Sequence, residues 1–193
     1  MIVGVLLAAG NSTRFGAHKL LHRLDDGVAL AEHTARHLIA ALPTSIAVVR
    51  PGDGAVHDIM RGLGLSIVEC ANATQGMGSS IACGVAAMPD ADGWVIALAD
   101  MPWILPQTIY AVAQQLHAGA GIAAPLYHAR RGHPVGFAAK FKAHLSLLQG
   151  DDGAREVIES ARDHLTLIPT DDVGVLLDID IPTDVQRNFP APR

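Results

Sequence analysis

Short runs of consecutive apolar residues alternate with amphipathic segments along this chain, and this alternation most limits the folds open to it. Strands are predicted at residues 2–7, 45–49, 65–68, 94–98 and 121–124. Helices are predicted at residues 30–42, 53–63, 78–88 and 106–116. Strands that are apolar on both faces and separated by helices indicate a parallel sheet covered on both sides. We therefore expect a three-layer, Rossmann-like α/β fold with a mostly parallel sheet.

The composition limits the classes of protein to which the chain can belong. Half of its 193 residues are hydrophobic and 17% are charged, which excludes an intrinsically disordered chain. The length fits a single domain over residues 1–193. A net charge of -5 and an aromatic content of 4% argue against a nucleic-acid partner.

Cysteine usage and the distribution of apolar residues bear on the compartment. Cys70 and Cys83 do not form a CxxC pair, so no zinc knuckle, redox motif or disulfide framework is predicted. Residues 1–10 are apolar but lack a basic start, and no run approaches the roughly 20 apolar residues of a spanning helix. We expect a cytoplasmic protein without a membrane partner. Residues 127–136 are predicted to leave the sheet at its carboxyl edge, and residues 188–193 to fray.

The loop after the first predicted strand is rich in groups that bind phosphate. Residues 8–19 contain two glycines, two hydroxyl side chains, Arg14 and Lys19. Ligands of open α/β sheets lie outside the carboxyl ends of the strands, so this loop is either a phosphate site or an ordinary polar connection. Its spacing fits neither GxGxxG nor GxxxxGK[ST], which disfavours a Rossmann oxidoreductase and a Walker A loop.

Carboxylates follow two later apolar segments. Asp100 comes directly after the strand at 94–98 and is either a Mg²⁺ ligand or a turn residue. Asp178 and Asp180 alternate with apolar residues and would share one face of a strand. A metal site follows only if that face meets Asp100. Asp184 is also consistent with a charge at the start of a helix.

Each of the other candidate residues is consistent with both a functional and a structural role. The small residues at 75–80 allow close approach to a flat ligand, although Ser79 and Ser80 are equally consistent with helix N-caps. The histidine pairs 18/22 and 33/37 have the spacing of metal ligands on a helix, but neither has an evident third ligand. His133 is either a ligand contact or a turn residue.

Six segments together resemble a known family. They are LAAGNSTRFGAHK (7–19), GMGSS (76–80), LADMP (98–102), GHPVGF (132–137), GDDGAR (150–155) and DIDIPTD (178–184). The series resembles the molybdenum cofactor nucleotidyltransferases, and within them the cytidylyltransferase branch. The resemblance spans nearly the whole chain and implies a nucleotide-diphospho-sugar transferase-like fold.

The resemblance also implies site residues. Those implied to bind nucleotide are Leu7, Ala8, Ala9, Gly10, Ser12, Arg14, Lys19, Gln75, Gly76, Gly78, Ser79, Ser80 and Asp100. Those implied to bind the acceptor are Met101, Pro102, His133, Pro134, Asp151, Gly153 and Arg155. The residues implied to catalyse are Arg14, Lys19 and Asp100, with Mg²⁺ held by Asp100 and Asp180 and with Asp178 as the alternate ligand. The family's Thr-Pro followed by glutamate is replaced here by Ile181-Pro182 and Thr183.

The activity implied by the resemblance is transfer of CMP from CTP to the terminal phosphate of molybdopterin. The methyl group of Ala9, where the guanylyl branch has glycine, favours cytosine over guanine. A molybdoenzyme or its chaperone is the implied protein partner. The alternatives are a nucleotidyltransferase with another NTP or phosphorylated acceptor, and a non-catalytic protein that delivers the molybdenum cofactor.

Overall fold

The computed structural model describes residues 1–10, 15, 18–151 and 153–184. Its strands are β1 (Ile2–Leu7), β2 (Ser45–Val49), β3 (Ser66–Glu69), β4 (Gly93–Leu98), β5 (Ile122–Tyr127), β6 (Arg130–Arg131), β7 (Val135–Ala138) and β8 (Leu165–Pro169). Its α-helices are α1 (Leu30–Ala41), α2 (Gly54–Gly62), α3 (Met77–Ala87), α4 (Pro106–His117), α5 (Lys142–Ser146) and α6 (Arg155–Ser160). Every predicted strand and helix is present, and most of their ends shift by a single residue.

The strands form one sheet in the order β3-β2-β1-β4-β7-β5-β6, and β8 pairs with the other edge of β5. β1 runs parallel to β2 and β4, β2 runs parallel to β3, and β5 runs parallel to β8. Only β6 and β7 introduce antiparallel pairs among the described strands. The predicted mostly parallel sheet is confirmed.

Helices cover both faces of the sheet because the strands present apolar side chains in both directions. In β1, Leu6 packs into one core layer and Val5 into the other, and both are fully buried. The first layer contains Leu38 of α1 and Ile109 of α4, and the second contains Ile81 of α3. The three-layer α/β architecture predicted from the apolar runs is therefore confirmed.

The order of the strands determines where a ligand can lie. The chain passes from β1 outward to β2 and β3, and then returns to place β4 on the opposite side of β1. Adjacent loops diverge where the strand order reverses, and the crevice between them is where open α/β sheets bind ligands. That crevice lies at the carboxyl ends of β1 and β4, after Leu7 and Leu98.

The prediction that residues 127–136 leave the sheet is wrong. His128 and Ala129 adopt positive φ angles of 45° and 63°, which turn β5 back into β6. The chain then continues as β7, which pairs with both β5 and β4. The turn that starts this hairpin needs no glycine or proline, so the sequence carries no strong sign of it.

Cys70 and Cys83 form a disulfide, which corrects the expectation that the chain has none. Cys70 follows β3 and Cys83 lies in α3, and the turn between these elements brings their Cα atoms within 6.0 Å. Two cysteines separated by 13 residues meet only because the chain reverses direction between them, which their spacing alone does not reveal.

None of the helices in the described part of the chain is long and apolar enough to cross a membrane. Residues 188–193, which the sequence predicts to fray, lie outside the described residues.

Candidate active site

A cavity of about 370 Å³ opens at the carboxyl ends of β1, β2 and β4. Its volume falls in the range of small-molecule pockets, which is roughly 300–1,000 Å³. The cavity is lined by Leu7, Ala9, Gly10, Lys19, Leu20, Arg50, Ala73, Thr74, Gly76, Met77, Ser80, Leu98, Asp100, Asp151 and Asp180. Its place at the reversal of strand order agrees with the position predicted for a nucleotide.

Lys19 bridges two carboxylates at the mouth of this cavity. Its Nζ donates to Asp100 Oδ2 at 2.8 Å and to Asp180 Oδ1 at 3.2 Å. Burial alone would lower the Lys19 pKa, but Asp100 and then Asp180 outweigh that effect and raise it above its ordinary value. The ammonium group is therefore charged at neutral pH. The structure brings together Lys19, Asp100 and Asp180 from the residues that the family resemblance implies for the metal and phosphates, while Arg14 lies outside the described residues.

Two backbone contacts position these carboxylates. Asp100 lies two residues beyond the end of β4, and its carbonyl oxygen accepts a hydrogen bond from the Ile179 N–H at 3.0 Å. The Asp184 carboxylate accepts from the N–H groups of Asp180 and Ile181 at 2.9 and 3.0 Å. Residues 178–181 are thereby tied at one end to the loop after β4 and at the other to Asp184.

Asp180 rather than Asp178 faces Lys19. Residues 177–180 form no strand, yet Ile179 is fully buried and the aspartates on either side of it are exposed, so the predicted alternation holds. Partial burial, followed by the charges of Asp180 and Asp100, raises the pKa of Asp178. Asp178 is absent from the cavity lining, which leaves Asp180 as the carboxylate that meets Asp100.

The residues present fit a magnesium ion. The Oδ1 atom of Asp100 is buried and has no hydrogen-bond partner within the described structure, while Oδ2 is bound to Lys19. Mg²⁺ is commonly held by one or two carboxylates, with substrate phosphates and water completing its shell. Asp100 and Asp180 supply that number of carboxylates, and within the described residues no cluster of three or more His, Cys, Asp or Glu offers a closed metal cage.

A second charged cluster lies beside the cavity, and the sequence reasoning missed it. Asp53 precedes α2, and its side chain is only 7% exposed. Its carboxylate bonds to His18 Nε2 at 2.9 Å and to Arg50 Nη2 at 3.2 Å. Because Arg50 lines the cavity and His18 precedes Lys19, Asp53 links the end of β2 to the residue that bridges the carboxylates.

The glycines before and within α3 serve chain packing. A Cβ at Gly76 would overlap the Gly150 backbone sterically, and one at Gly78 would lie only 2.7 Å from the carbonyl oxygen of Gln149. The Gly78 N–H donates to the Gly150 carbonyl at 2.8 Å. Both positions need glycine because the turn at 149–150 lies directly against them, and Gly76 also borders the cavity.

Ser79 and Ser80 are not helix N-caps, because α3 already begins at Met77 with Gly76 as its N-cap. Both serines are buried, and only Ser80 borders the cavity. The other predicted nucleotide residues divide in the same way. Ala8, Gln75, Gly78 and Ser79 are outside the lining, and Ser12 and Arg14 lie outside the described residues.

The residues predicted for the acceptor do not form one surface. Met101 and Pro102 are buried. The Arg155 side chain is 70% exposed and pairs with Glu159 on the surface of α6. Asp151 borders the cavity, and Gly153 is buried against Met77.

His133 does lie near the carboxylates. In β7, Val135 pairs with Ile96 of β4, which places His133 towards the carboxyl end of that strand. The peptide bond to Pro134 is cis, and the His133 N–H donates to the Val175 carbonyl at 2.9 Å. Burial and, to a smaller extent, the charge of Arg131 together lower the His133 pKa to about 4, while Asp100 opposes the shift. The imidazole is neutral at physiological pH.

The histidine pairs on helical spacing do not form metal sites. His18 bonds to Asp53, and His33 pairs with Asp26. Burial lowers the pKa of His37, whose Nδ1 is buried without a partner in the described part of the chain. Among the residues that the structure describes, neither pair has the third ligand that zinc requires.

Comparison with known proteins assigns the family. Residues 4–165 match the model of the MobA-like NTP transferase domain. The chain belongs to the MobA-like NTP transferase family. It is similar to the purine catabolism protein PucB of Bacillus subtilis strain 168, with 27% identity over 197 residues covering 95% of this chain and 93% of PucB.

Solved structures agree with membership of the MobA-like family. Rv0371c from Mycobacterium tuberculosis H37Rv superimposes with a TM-score of 0.84 and 28% identity, covering 96% of this chain and 95% of that chain. A structure of the same protein in complex with manganese has a TM-score of 0.79 and 27% identity, covering 96% of each chain. The chain is thus nucleotidyltransferase-like, and the fold predicted from the resemblance is confirmed.

Proposed function

We propose that this protein transfers CMP from CTP to the terminal phosphate of molybdopterin or the molybdenum cofactor and releases pyrophosphate. The observation that carries the proposal is the convergence of Lys19, Asp100 and Asp180 at the mouth of a cavity built by the nucleotide fold. A polyphosphate needs cations around it, and two carboxylates with an orphaned oxygen are suited to hold one.

The reaction needs positioning and charge more than proton transfer. A terminal phosphate oxygen of the acceptor attacks the α-phosphorus of CTP, and the bond to the pyrophosphate oxygen breaks with its electron pair. The attacking oxygen is already anionic, so no general base is required. Asp100 and Asp180 would hold Mg²⁺, which would supply positive charge to offset that of the phosphates.

The side chains of the protein contribute around that centre. Lys19, which lines the cavity, would donate to phosphate oxygens as negative charge moves to the leaving pyrophosphate. Arg14 is proposed for the same task on the family resemblance. His133, neutral and near Asp100, is proposed to lie on the acceptor side.

The choice of CTP rests on Ala9. Ala9 borders the cavity and is 3% exposed, so its methyl group occupies space that a glycine would leave for a larger base. This supports cytosine over guanine. The remaining nucleotide residues are proposed as the resemblance implies them, and residues 1–193 are proposed to act as one nucleotidyltransferase domain in the cytoplasm.

A nucleotide panel tests the proposal. Thermal unfolding is measured with CTP, GTP, ATP and UTP, each with Mg²⁺, because a ligand that binds only the native state raises the melting temperature by mass action. We expect the largest rise with CTP. The Ala9→Gly variant is the matched control and should gain response to GTP. A larger rise with GTP in the wild type would reverse the base assignment.

A second candidate keeps the chemistry and changes the acceptor or the NTP. The similarity to PucB, a purine catabolism protein, favours an acceptor used in that setting. Transfer assays with α-labelled CTP and a panel of phosphorylated acceptors separate the two. Binding of nucleotide and molybdopterin without turnover would instead indicate a delivery protein serving a molybdoenzyme or its chaperone.

A further inference from the structure

The Lys19 ammonium lies where a bridging cation would lie. Its single nitrogen bonds to one oxygen of Asp100 and one of Asp180, at 2.8 and 3.2 Å. The Lys19 side chain is 12% exposed, against 25% for Asp100 and 49% for Asp180. The Lys19 side chain is therefore less exposed than either of the two carboxylates that it neutralises.

We propose that Lys19 occupies the metal position while the enzyme is empty and gives it up only when a nucleotide arrives. A monovalent ammonium and a divalent ion compete for the same two oxygens, because their like charges would repel each other at a distance of only a few ångströms. The empty enzyme should consequently bind a divalent ion weakly, although the two carboxylates are already in place.

The nucleotide provides what releases Lys19. The cavity that would hold the triphosphate begins at Lys19 itself, so phosphate oxygens can replace both carboxylates as acceptors for the ammonium. Once Lys19 turns towards them, Asp100 Oδ2 and Asp180 Oδ1 no longer bind the ammonium, and Asp100 then offers both of its oxygens. Metal and nucleotide should then each raise the affinity for the other by the same factor.

This coupling rests on the proposed function, because it needs a nucleotide triphosphate in the cavity. The weak binding of a divalent ion without nucleotide does not depend on the proposed function. The experiment can therefore contradict the proposed function and the displacement by Lys19 separately.

The experiment measures Mn²⁺ binding to the full chain without nucleotide, by calorimetry and by the electron paramagnetic resonance signal of free Mn²⁺. Lys19→Met removes the charge and keeps the length of the side chain, and Lys19→Arg is the matched control that keeps the charge. We expect Lys19→Met to bind Mn²⁺ at least about tenfold more tightly than the wild type, a difference of 1.4 kcal/mol. Lys19→Arg should bind as weakly as the wild type.

Two further measurements keep the result interpretable. Lys19→Met combined with Asp100→Asn should lose the gain, which assigns the binding to this site. Mn²⁺ should raise the melting temperature of Lys19→Met more than that of the wild type, and Lys19→Gln repeats the test if Lys19→Met does not fold. Equal Mn²⁺ affinity in the wild type and the charge-removed variants would overturn the proposal.

The nucleotide arm completes the test. CTP should raise the Mn²⁺ affinity of the wild type by at least about tenfold and that of Lys19→Met by much less. A gain in Lys19→Met without any response to CTP, GTP, ATP or UTP would support the displacement by Lys19 and contradict the proposed function.

Discussion

Replacing Asp184 by alanine is expected to disturb Asp180 without altering the Asp180 side chain. Asp184 Oδ2 accepts two hydrogen bonds, from the backbone N–H groups of Asp180 and Ile181, at 2.9 and 3.0 Å. Hydrogen bonds to a charged group contribute about 1.5–3 kcal/mol each, and because this site is only partly buried we expect Asp184→Ala to lose about 3 kcal/mol in total. For a chain of this length that loss lowers the melting temperature by roughly 6–12 °C.

Asparagine at the same position is the matched control. Its amide oxygen can receive both N–H groups, so Asp184→Asn should lose less than half as much stability as Asp184→Ala. Thermal unfolding gives the stability, and titration of transfer activity with Mg²⁺ gives the effect on Asp180. The alanine variant should need more Mg²⁺ for half-maximal activity, whereas the asparagine variant should resemble the wild type. Wild-type stability and wild-type Mg²⁺ dependence in Asp184→Ala would refute the reasoning.

Three other changes test separate parts of the structure. Gly78→Ala places a Cβ 2.7 Å from the Gln149 carbonyl oxygen, and overpacking of this kind should lower the free energy of unfolding by about 1–3 kcal/mol in urea denaturation. Gly62→Ala, which meets no atom within 4 Å, should not destabilise the protein, and equal losses in both variants would contradict the packing role. The His133 pKa of about 4 lies below its ordinary value of about 6.5. Between these two pH values the unfolded chain binds a proton that the native state does not bind. Acidification through this range should therefore lower the free energy of unfolding by up to about 3 kcal/mol. His133→Gln should flatten this dependence, and an unchanged pH profile would remove His133 as its cause. Asp53→Asn weakens the contacts to Arg50 and His18. Calorimetry should therefore show about tenfold weaker CTP binding, a difference of 1.4 kcal/mol. Unchanged CTP affinity would show that this cluster does not support the nucleotide site.

The apolar runs made the fold predictable because each central strand is buried on both faces. β1 and β4 consist almost entirely of apolar residues, and no other arrangement covers such strands on both sides as simply as a parallel sheet between helices. The hairpin that carries β6 and β7 was not predicted because its residues are mixed in polarity and its turn lacks glycine and proline. The position of β7 is set by its pairing with β4, a contact between distant parts of the chain that local sequence does not reveal.

The position of Asp100 in the site was predictable, because a carboxylate that comes just after a buried apolar strand lies at the carboxyl edge of the sheet. The sequence could not choose between Asp178 and Asp180, because the two flank buried Ile179 and are both exposed, and only the position of Lys19 distinguishes them. The cluster of His18, Arg50 and Asp53 depends on contacts between segments far apart in the chain. The disulfide between Cys70 and Cys83 depends on the turn into α3 in the same way.

Transfer from labelled CTP tests most directly whether this cavity performs nucleotidyl transfer. The wild type and Asp100→Asn are incubated with Mg²⁺, molybdopterin and CTP that is labelled at the α-phosphate in one reaction and at the γ-phosphate in the other. We expect the α-label on the acceptor, the γ-label in pyrophosphate, and a loss of about 10²–10³-fold in rate for Asp100→Asn, because a ligand of the Mg²⁺ that would neutralise the phosphates is lost. A γ-label on the acceptor, or full activity in Asp100→Asn, would contradict the proposed reaction.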